Sequence, residues 1–250
     1  MDFTPKELER YARHIVLQDI GGAGQKKLKA AKVLVVGAGG LGSPVIQYLS
    51  AAGLGTIGVV DHDIVSLSNL QRQTIHDTEN IDMPKVESAG ISVARLNPNV
   101  VFETHNFRIE PENGDNLVES YDLVVDGSDN FATRYLVADL CEKHCKTLVT
   151  AAVGQFDASI TTLKPHLKNA DGNPYPRYRD IFPVSPEDGT LPTCEEAGIL
   201  GALTGVIGSM QALEVVKEIT GTGTSLAGRL LLFDAKSSRW DEFTYERTCN

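Results

Sequence analysis

Gly37, Gly39 and Gly42 follow the apolar run 33–36 at the spacing G-x-G-x-x-G. Without Cβ atoms, such a turn lets the backbone come close to a phosphate. The helix that follows offers free N–H groups and a partial positive charge. A second apolar run, 56–60, ends at Asp61, a carboxylate able to accept from ribose hydroxyls. NAD and ATP both carry phosphates and a ribose, so these residues alone suit either. Further groups bear on the choice. Arg72 lies in the stretch SNLQRQ at 68–73, Lys85 follows Pro84, and DGSDN at 126–130 puts Asp126 and Asp129 at the end of another apolar run. Arginine neutralises phosphate through several N–H donors, and a carboxylate oxygen suits Mg²⁺. Two cations and a hard-metal ligand around a glycine turn fit a triphosphate better than a pyrophosphate. Plainer roles exist for each: glycines for packing, Arg72 and Lys85 as surface cations, the DG acids as turn caps.

These residues need a scaffold, and the hydrophobic pattern supplies one. Ser43 is placed to cap and Pro44 to start a helix, whose apolar face carries Val45, Leu49 and Ala52. Helices are expected near 5–18, 25–30, 44–53, 84–96, 114–119, 131–145 and 195–220. Buried strands are expected at 33–37, 56–61, 100–105, 122–126 and 147–152. Alternation of the two predicts an α/β fold, a doubly wound Rossmann-like, mostly parallel sheet. The patterns at 158–164 and 229–245 predict antiparallel strands extending that sheet, the latter a hairpin turning at 235–238. One continuous domain is expected: a helical arm at 1–30, a nucleotide-binding half at 31–155 and a second half at 156–250. The main irregular segment, 169–193, holds five of the eleven prolines, and a loop of that length is usually functional or disordered.

The chain has 250 residues, with 23 basic against 33 acidic and a net charge of −10. That balance disfavours non-specific binding to nucleic acid or an anionic membrane. The N-terminus reads as a capped helix, with Thr4, Pro5 and Glu7 as cap, first position and capping-box acid, rather than a signal peptide. The longest apolar segment, 199–216, contains Thr204, Ser209, Gln211 and Glu214, which favours a buried helix over a membrane span. Four cysteines suggest a reducing compartment without a disulfide framework. A cytoplasmic location follows.

YARHIVL at 11–17, GAGGLGSP at 37–44, SNLQRQ at 68–73, PKVES at 84–88, DGSDN at 126–130 and the final hairpin together resemble the ubiquitin-activating-type adenylyltransferases, in particular the bacterial MoeB/ThiF/HesA group. The resemblance spans nearly the whole chain. It implies ATP and Mg²⁺ as cofactors and a small ubiquitin-like sulfur carrier, MoaD-like or ThiS-like, as partner, bound by the half at 156–250 with its tail along the Pro-rich segment 169–193. The carrier's Gly-Gly carboxylate would attack the α-phosphorus of ATP, giving an acyl adenylate and pyrophosphate. The resemblance places Gly37, Gly39, Gly40, Gly42, Asp61, Asp63, Ser68, Asn69, Leu70, Gln71, Arg72, Lys85, Asp129 and Asn130 with the nucleotide. In it Asp61 holds the ribose, Asn69, Arg72 and Lys85 hold phosphates, and Asp129 holds Mg²⁺. It also implies that Arg13 reaches the triphosphate from the other subunit of a homodimer, and that a separate sulfurtransferase supplies sulfur. A ThiS-like carrier in thiamine synthesis is the alternative to a MoaD-like carrier in molybdenum cofactor synthesis; an NAD-dependent oxidoreductase is the alternative from another class.

Cys194, in PTCEEAGILG, sits at an expected helix N-terminus, where a thiolate gains stability. It reads either as a reactive thiol or as a small cap residue. The group resembled often binds structural zinc through two C-x-x-C pairs. Here Arg177-Tyr178-Arg179-Asp180 stands where the first pair would be, and only Cys249 remains near the C-terminus, so no zinc site is expected. Cys141 and Cys145 are expected to pack, and no two histidines stand at metal-ligand spacing.

Overall fold

Short apolar runs can be covered on both faces, and those at 33–36, 57–60 and 123–125 are. In the computed structural model, which describes residues 3–185 and 198–248, β1 (Lys32–Val36), β2 (Thr56–Val60), β3 (Val101–His105), β4 (Leu123–Asp126) and β5 (Thr147–Val153) pair in parallel. β6 (Asp157–Leu163), β7 (Arg229–Asp234) and β8 (Arg239–Thr244) continue the sheet antiparallel. The strand order is β3-β2-β1-β4-β5-β6-β7-β8. This is the expected doubly wound sheet with an antiparallel extension.

The pleat sends alternate residues to opposite layers. Val33 and Val35 of β1 join a core with α3 (Gly21–Ala30), α4 (Gly42–Ala52), α5 (Lys85–Leu96) and α9 (Gly201–Thr220). Leu34 and Val36 join the opposite core, under α6 (Pro111–Glu119), α7 (Phe131–Lys143) and the short α8 (Tyr178–Ile181). Each fully buried Val, Leu or Ile contributes about 1.5–3 kcal/mol, so both layers clamp the strands whose ends carry the polar residues.

Several elements differ from expectation. The helix at 5–18 is two, α1 (Pro5–Arg10) and α2 (Ala12–Ile15). The break falls at Tyr11, which is buried with its ring against Gly53 and its hydroxyl accepting from Asn97 Nδ2 at 2.9 Å. The capping box at Thr4 and Glu7 is present as expected. Helix α4 starts at Gly42, two residues before Pro44, and the Ser43 hydroxyl donates to the Gly39 carbonyl instead of capping. Helix α6 begins earlier than its apolar residues suggest, at Pro111, whose preceding Glu110 closes a capping box with Asn113. Within segment 169–193, the described part, 169–185, contains α8 and a turn closed by Asn169. Residues 195–197, expected as helix, lie outside the described residues, and 198–200 are not helical. Cys141 is buried, but Cys145 is exposed at φ +54°, just past α7 where the chain turns into β5. Among the described residues no helix is long and apolar enough to cross a membrane.

Candidate active site

The strand order reverses between β1 and β4, which leaves a crevice at their carboxyl ends, the ligand side of an open α/β sheet. A cleft opens there. The glycine turn forms one wall. Gly37 has φ +93°, a conformation that glycine adopts without steric cost. A Cβ on Gly42 would stand 1.9 Å from the Gly37 carbonyl oxygen, so the tight entry into α4 is closed to any side chain. Gly40 faces α9, where Thr204 would lie 3.1 Å from an added Cβ.

Of the residues assigned to the nucleotide, Gly37, Gly39, Gly40, Asp61, Asp63, Arg72, Lys85, Asp129 and Asn130 line this cleft. Lys85 is the first residue of α5, where a cation is unfavourable without an anion beside it. The anion is Asp63: Lys85 Nζ donates to its Oδ2 at 2.7 Å. Burial pushes the Asp63 carboxyl up, but the hydrogen bond and charge of Lys85 outweigh it and hold the group below its ordinary value. Asp61 accepts from Ala38 N–H at 2.8 Å through Oδ2 and from Asp63 N–H at 2.9 Å through Oδ1. It therefore anchors the glycine turn, with lone pairs left for a ribose.

The two acids of DGSDN have separate surroundings. Asp126 is fully buried and accepts from Ser128 N–H and Oγ and from Thr150 Oγ1. Asp129 is exposed at the cleft, beside Asn130, which caps α7 through Thr133 N–H. Its hard carboxylate oxygens suit Mg²⁺. His62 also comes together with Asp61 and Asp63, their ligand atoms all within 4.8 Å, a grouping that histidine spacing does not reveal.

Other assigned residues stand off the cleft. Asn69 is buried, and its Oδ1 accepts from Ser66 N–H in a short 3₁₀ turn. The Ser68 carbonyl accepts from Arg72 Nη1 at 3.2 Å, and Gln71 packs its backbone under Gly201 at the start of α9. Neither Ser68, Leu70 nor Gln71 lines the cleft, and Gly42 lies beneath it. Arg13 is exposed on α2 and is not a lining residue of this chain's own cleft. Cys194 and Cys249 lie outside the described residues.

The cleft also contains residues that sequence patterns did not mark. Arg108 donates to His62 at 3.0 Å, and Arg134, buried, donates to the Ser128 carbonyl at 3.1 Å. Arg72, Lys85, Arg108 and Arg134 give four cations against three lining carboxylates, Asp61, Asp63 and Asp129. Cations are thus concentrated at the cleft in a chain of net charge −10, two of them balanced by carboxylates, Lys85 by Asp63 and Arg134 by Asp126. Two buried polar atoms at this wall, Gln73 Oε1 and Arg134 Nε, have no hydrogen-bond partner among the described residues, although Arg134 Nε stands 4.0 Å from Asp126 Oδ2; each costs stability unless a ligand supplies a bond. A glycine-floored cleft rich in cations, with an Arg134 Nε–H left to donate, fits a polyphosphate nucleotide, and the Gln73 Oε1 acceptor fits a hydroxyl or amino group of its nucleoside. Arg108 and Arg134 lack any local motif, so only their shared location reveals them.

At the position where zinc ligands would stand, the donor set does not fit the metal. Arg177 donates to Asp180 through N–H, Nε and Nη2, and Thr248 donates through N–H and Oγ1. The Asp180 carboxyl is pushed up by burial but held far below its ordinary value by Arg177 and Thr248. An arginine and a saturated carboxylate replace the thiolates of a zinc pair, and they fasten the chain end to α8.

The sequence pattern of the ThiF family matches residues 11–250. The chain belongs to the ThiF family. Among ThiF-family relatives, the sulfur carrier protein adenylyltransferase of Thermus thermophilus is 45% identical over 99% of this chain and 90% of its own length. The SAMP-activating enzyme E1 of Haloferax volcanii is 45% identical over 96% of this chain and 86% of its own. Among solved structures, E. coli MccB with ATP matches at a TM-score of 0.81 and 20% identity, over 96% of this chain and 72% of that one; it shares the fold.

Proposed function

We propose that this ThiF-family chain adenylylates the C-terminal Gly-Gly carboxylate of a small ubiquitin-like sulfur carrier of the MoaD-like kind, using ATP, in molybdenum cofactor synthesis. The chain is an adenylyltransferase. The observation carrying the reading is the cleft at the ends of β1, β2 and β4, where Arg72, Lys85 and Asp129 surround a glycine turn. The carrier's carboxylate is ionised at neutral pH and needs no base. It attacks the α-phosphorus, and pyrophosphate leaves. The protein's task is alignment and charge neutralisation. Arg72 and Lys85 hold phosphate oxygens, Asp61 the ribose, and Gly37, Gly39 and Gly40 let the backbone approach. Mg²⁺, held by Asp129, would neutralise the phosphates when bound. The carrier lies on the antiparallel half, with its tail running toward the cleft.

Arg13 completes the site from a second copy. In support, it is exposed on α2 beside the exposed apolar Val16 and Leu17. Sulfur comes from a separate sulfurtransferase, and the protein works in the cytoplasm without zinc. Cys194 is not needed for adenylation. The test is ATP–pyrophosphate exchange with a MoaD-like and a ThiS-like carrier. Exchange that needs the MoaD-like carrier supports the reading. Exchange with the ThiS-like carrier alone moves the pathway to thiamine, and no exchange with either rejects carrier activation.

A further inference from the structure

Within the glycine turn, Ala38 is held from both sides. Its N–H donates to Asp61 Oδ2 at 2.8 Å, and its carbonyl lies 2.9 Å from His76 Nε2. A carbonyl has no proton to give, so Nε2 carries the proton and donates. In a neutral ring Nδ1 is then an acceptor, and the Ser88 hydroxyl stands 2.8 Å from it. His76 is only 6% exposed, and burial pushes its pKa down, which keeps the ring neutral.

His76 links three parts of the cleft. Its backbone N–H donates to the Gln73 carbonyl, at the end of the segment bearing Arg72, while its ring reaches the other two. Ser88 lies on α5, one turn along from Lys85. Ala38 is in the turn itself. The Ala38–Gly39 peptide is trans, so the Gly39 N–H points opposite to the Ala38 carbonyl, away from His76. Gly39 lines the cleft, and its N–H has no hydrogen-bond partner among the described residues.

We propose that His76 is a positioning residue of the nucleotide site: by holding the Ala38 carbonyl it aims the Gly39 N–H at the nucleotide phosphates and locks the turn to the segments that carry Arg72 and Lys85. The proposal rests on reading the cleft as an ATP site. A buried histidine that only fills space would tolerate a ring of similar size, and this one would not.

The experiment uses the full chain and compares His76→Phe, His76→Gln and Ser88→Ala with the parent. It reads ATP affinity by calorimetry, KM and kcat in carrier-dependent pyrophosphate exchange, and the thermal midpoint. His76→Phe keeps a ring but loses both bonds; ATP affinity and ATP KM should weaken about tenfold while the carrier KM holds. His76→Gln keeps an N–H for Ala38 and should recover most of that loss. If His76→Phe does not fold, Ser88→Ala, which frees only the far side of the ring, should still weaken ATP binding by about threefold. Parental ATP affinity in a folded His76→Phe, or in Ser88→Ala, overturns the proposal, as does a His76→Gln no better than the Phe variant. A parent that binds no ATP overturns the reading of the cleft itself, and this proposal with it, so the two failures are distinct.

Discussion

The parallel and antiparallel parts of the sheet solve different problems. In β1, β2 and β4 nearly every residue is buried, so only the strand ends can meet a ligand. Polar groups gather there into one small, cation-rich cleft. In β7 and β8 most residues are partly or fully exposed. Leu232 and Phe243 are accessible on one face, while Trp240 stacks on Phe233 at 4.4 Å on the other, the face that packs on the core. A doubly covered sheet gives a pocket for a small charged molecule. A sheet with one face uncovered gives a surface broad enough for a protein. The contrast makes a division of labour testable: nucleotide chemistry in one part, carrier recognition in the other.

The largest effects should fall at the cleft. Asp129→Ala and Arg72→Ala should each lower pyrophosphate exchange by about 10²–10³-fold while the thermal midpoint stays near the parent's; normal exchange in Asp129→Ala would remove its metal role. Next comes a purely steric change in the same wall. Gly42→Ala drives a methyl against the Gly37 carbonyl and should destabilise the fold by about 3 kcal/mol in urea titration. A stability equal to the parent's would show that the turn is softer than its geometry indicates.

A smaller effect is expected where the chain end is fastened. Asp180→Asn should cost about 2 kcal/mol and speed amide exchange at 245–248. The native carboxyl titrates below its ordinary value. Its contribution is therefore present in full above the unfolded value of about 3.9 and is lost as pH falls from there through the lower folded value. The variant should lack that acid-dependent loss, and a parallel pH curve would contradict the role given to this carboxylate. Chelators should leave the parent's thermal midpoint unmoved. On the open face, Phe243→Ala should raise the carrier KM about tenfold and leave ATP affinity alone. If ATP affinity falls equally, the two parts are not separable.

Much of the scaffold was legible because its causes are local. Short apolar runs marked the central strands, and the hairpin turn at 235–238 stood between two strand-like segments. The glycine spacing marked the turn, and SNLQRQ and DGSDN marked residues at strand ends. The misreadings arose where distant contacts intervened. Tyr11 breaks the first helix because its ring packs against Gly53, and Ser43 gives up its capping role to bind Gly39. The anion that a lysine at a helix start calls for is Asp63, 22 residues away, which no local pattern marks.

Sequence alone determined the elements, their order and the chemical types available at the strand ends, since periodicity, caps and turns act over a few residues. Tertiary structure decided which of those groups share a cleft. Asp126 and Asp129 are three apart in the chain, yet one is sealed in the core and the other faces solvent. His76 meets Ala38 across 38 residues, and Arg134 joins Lys85 from the far side of the sheet's switch point. Such pairings depend on where whole elements pack, and no local pattern encodes that.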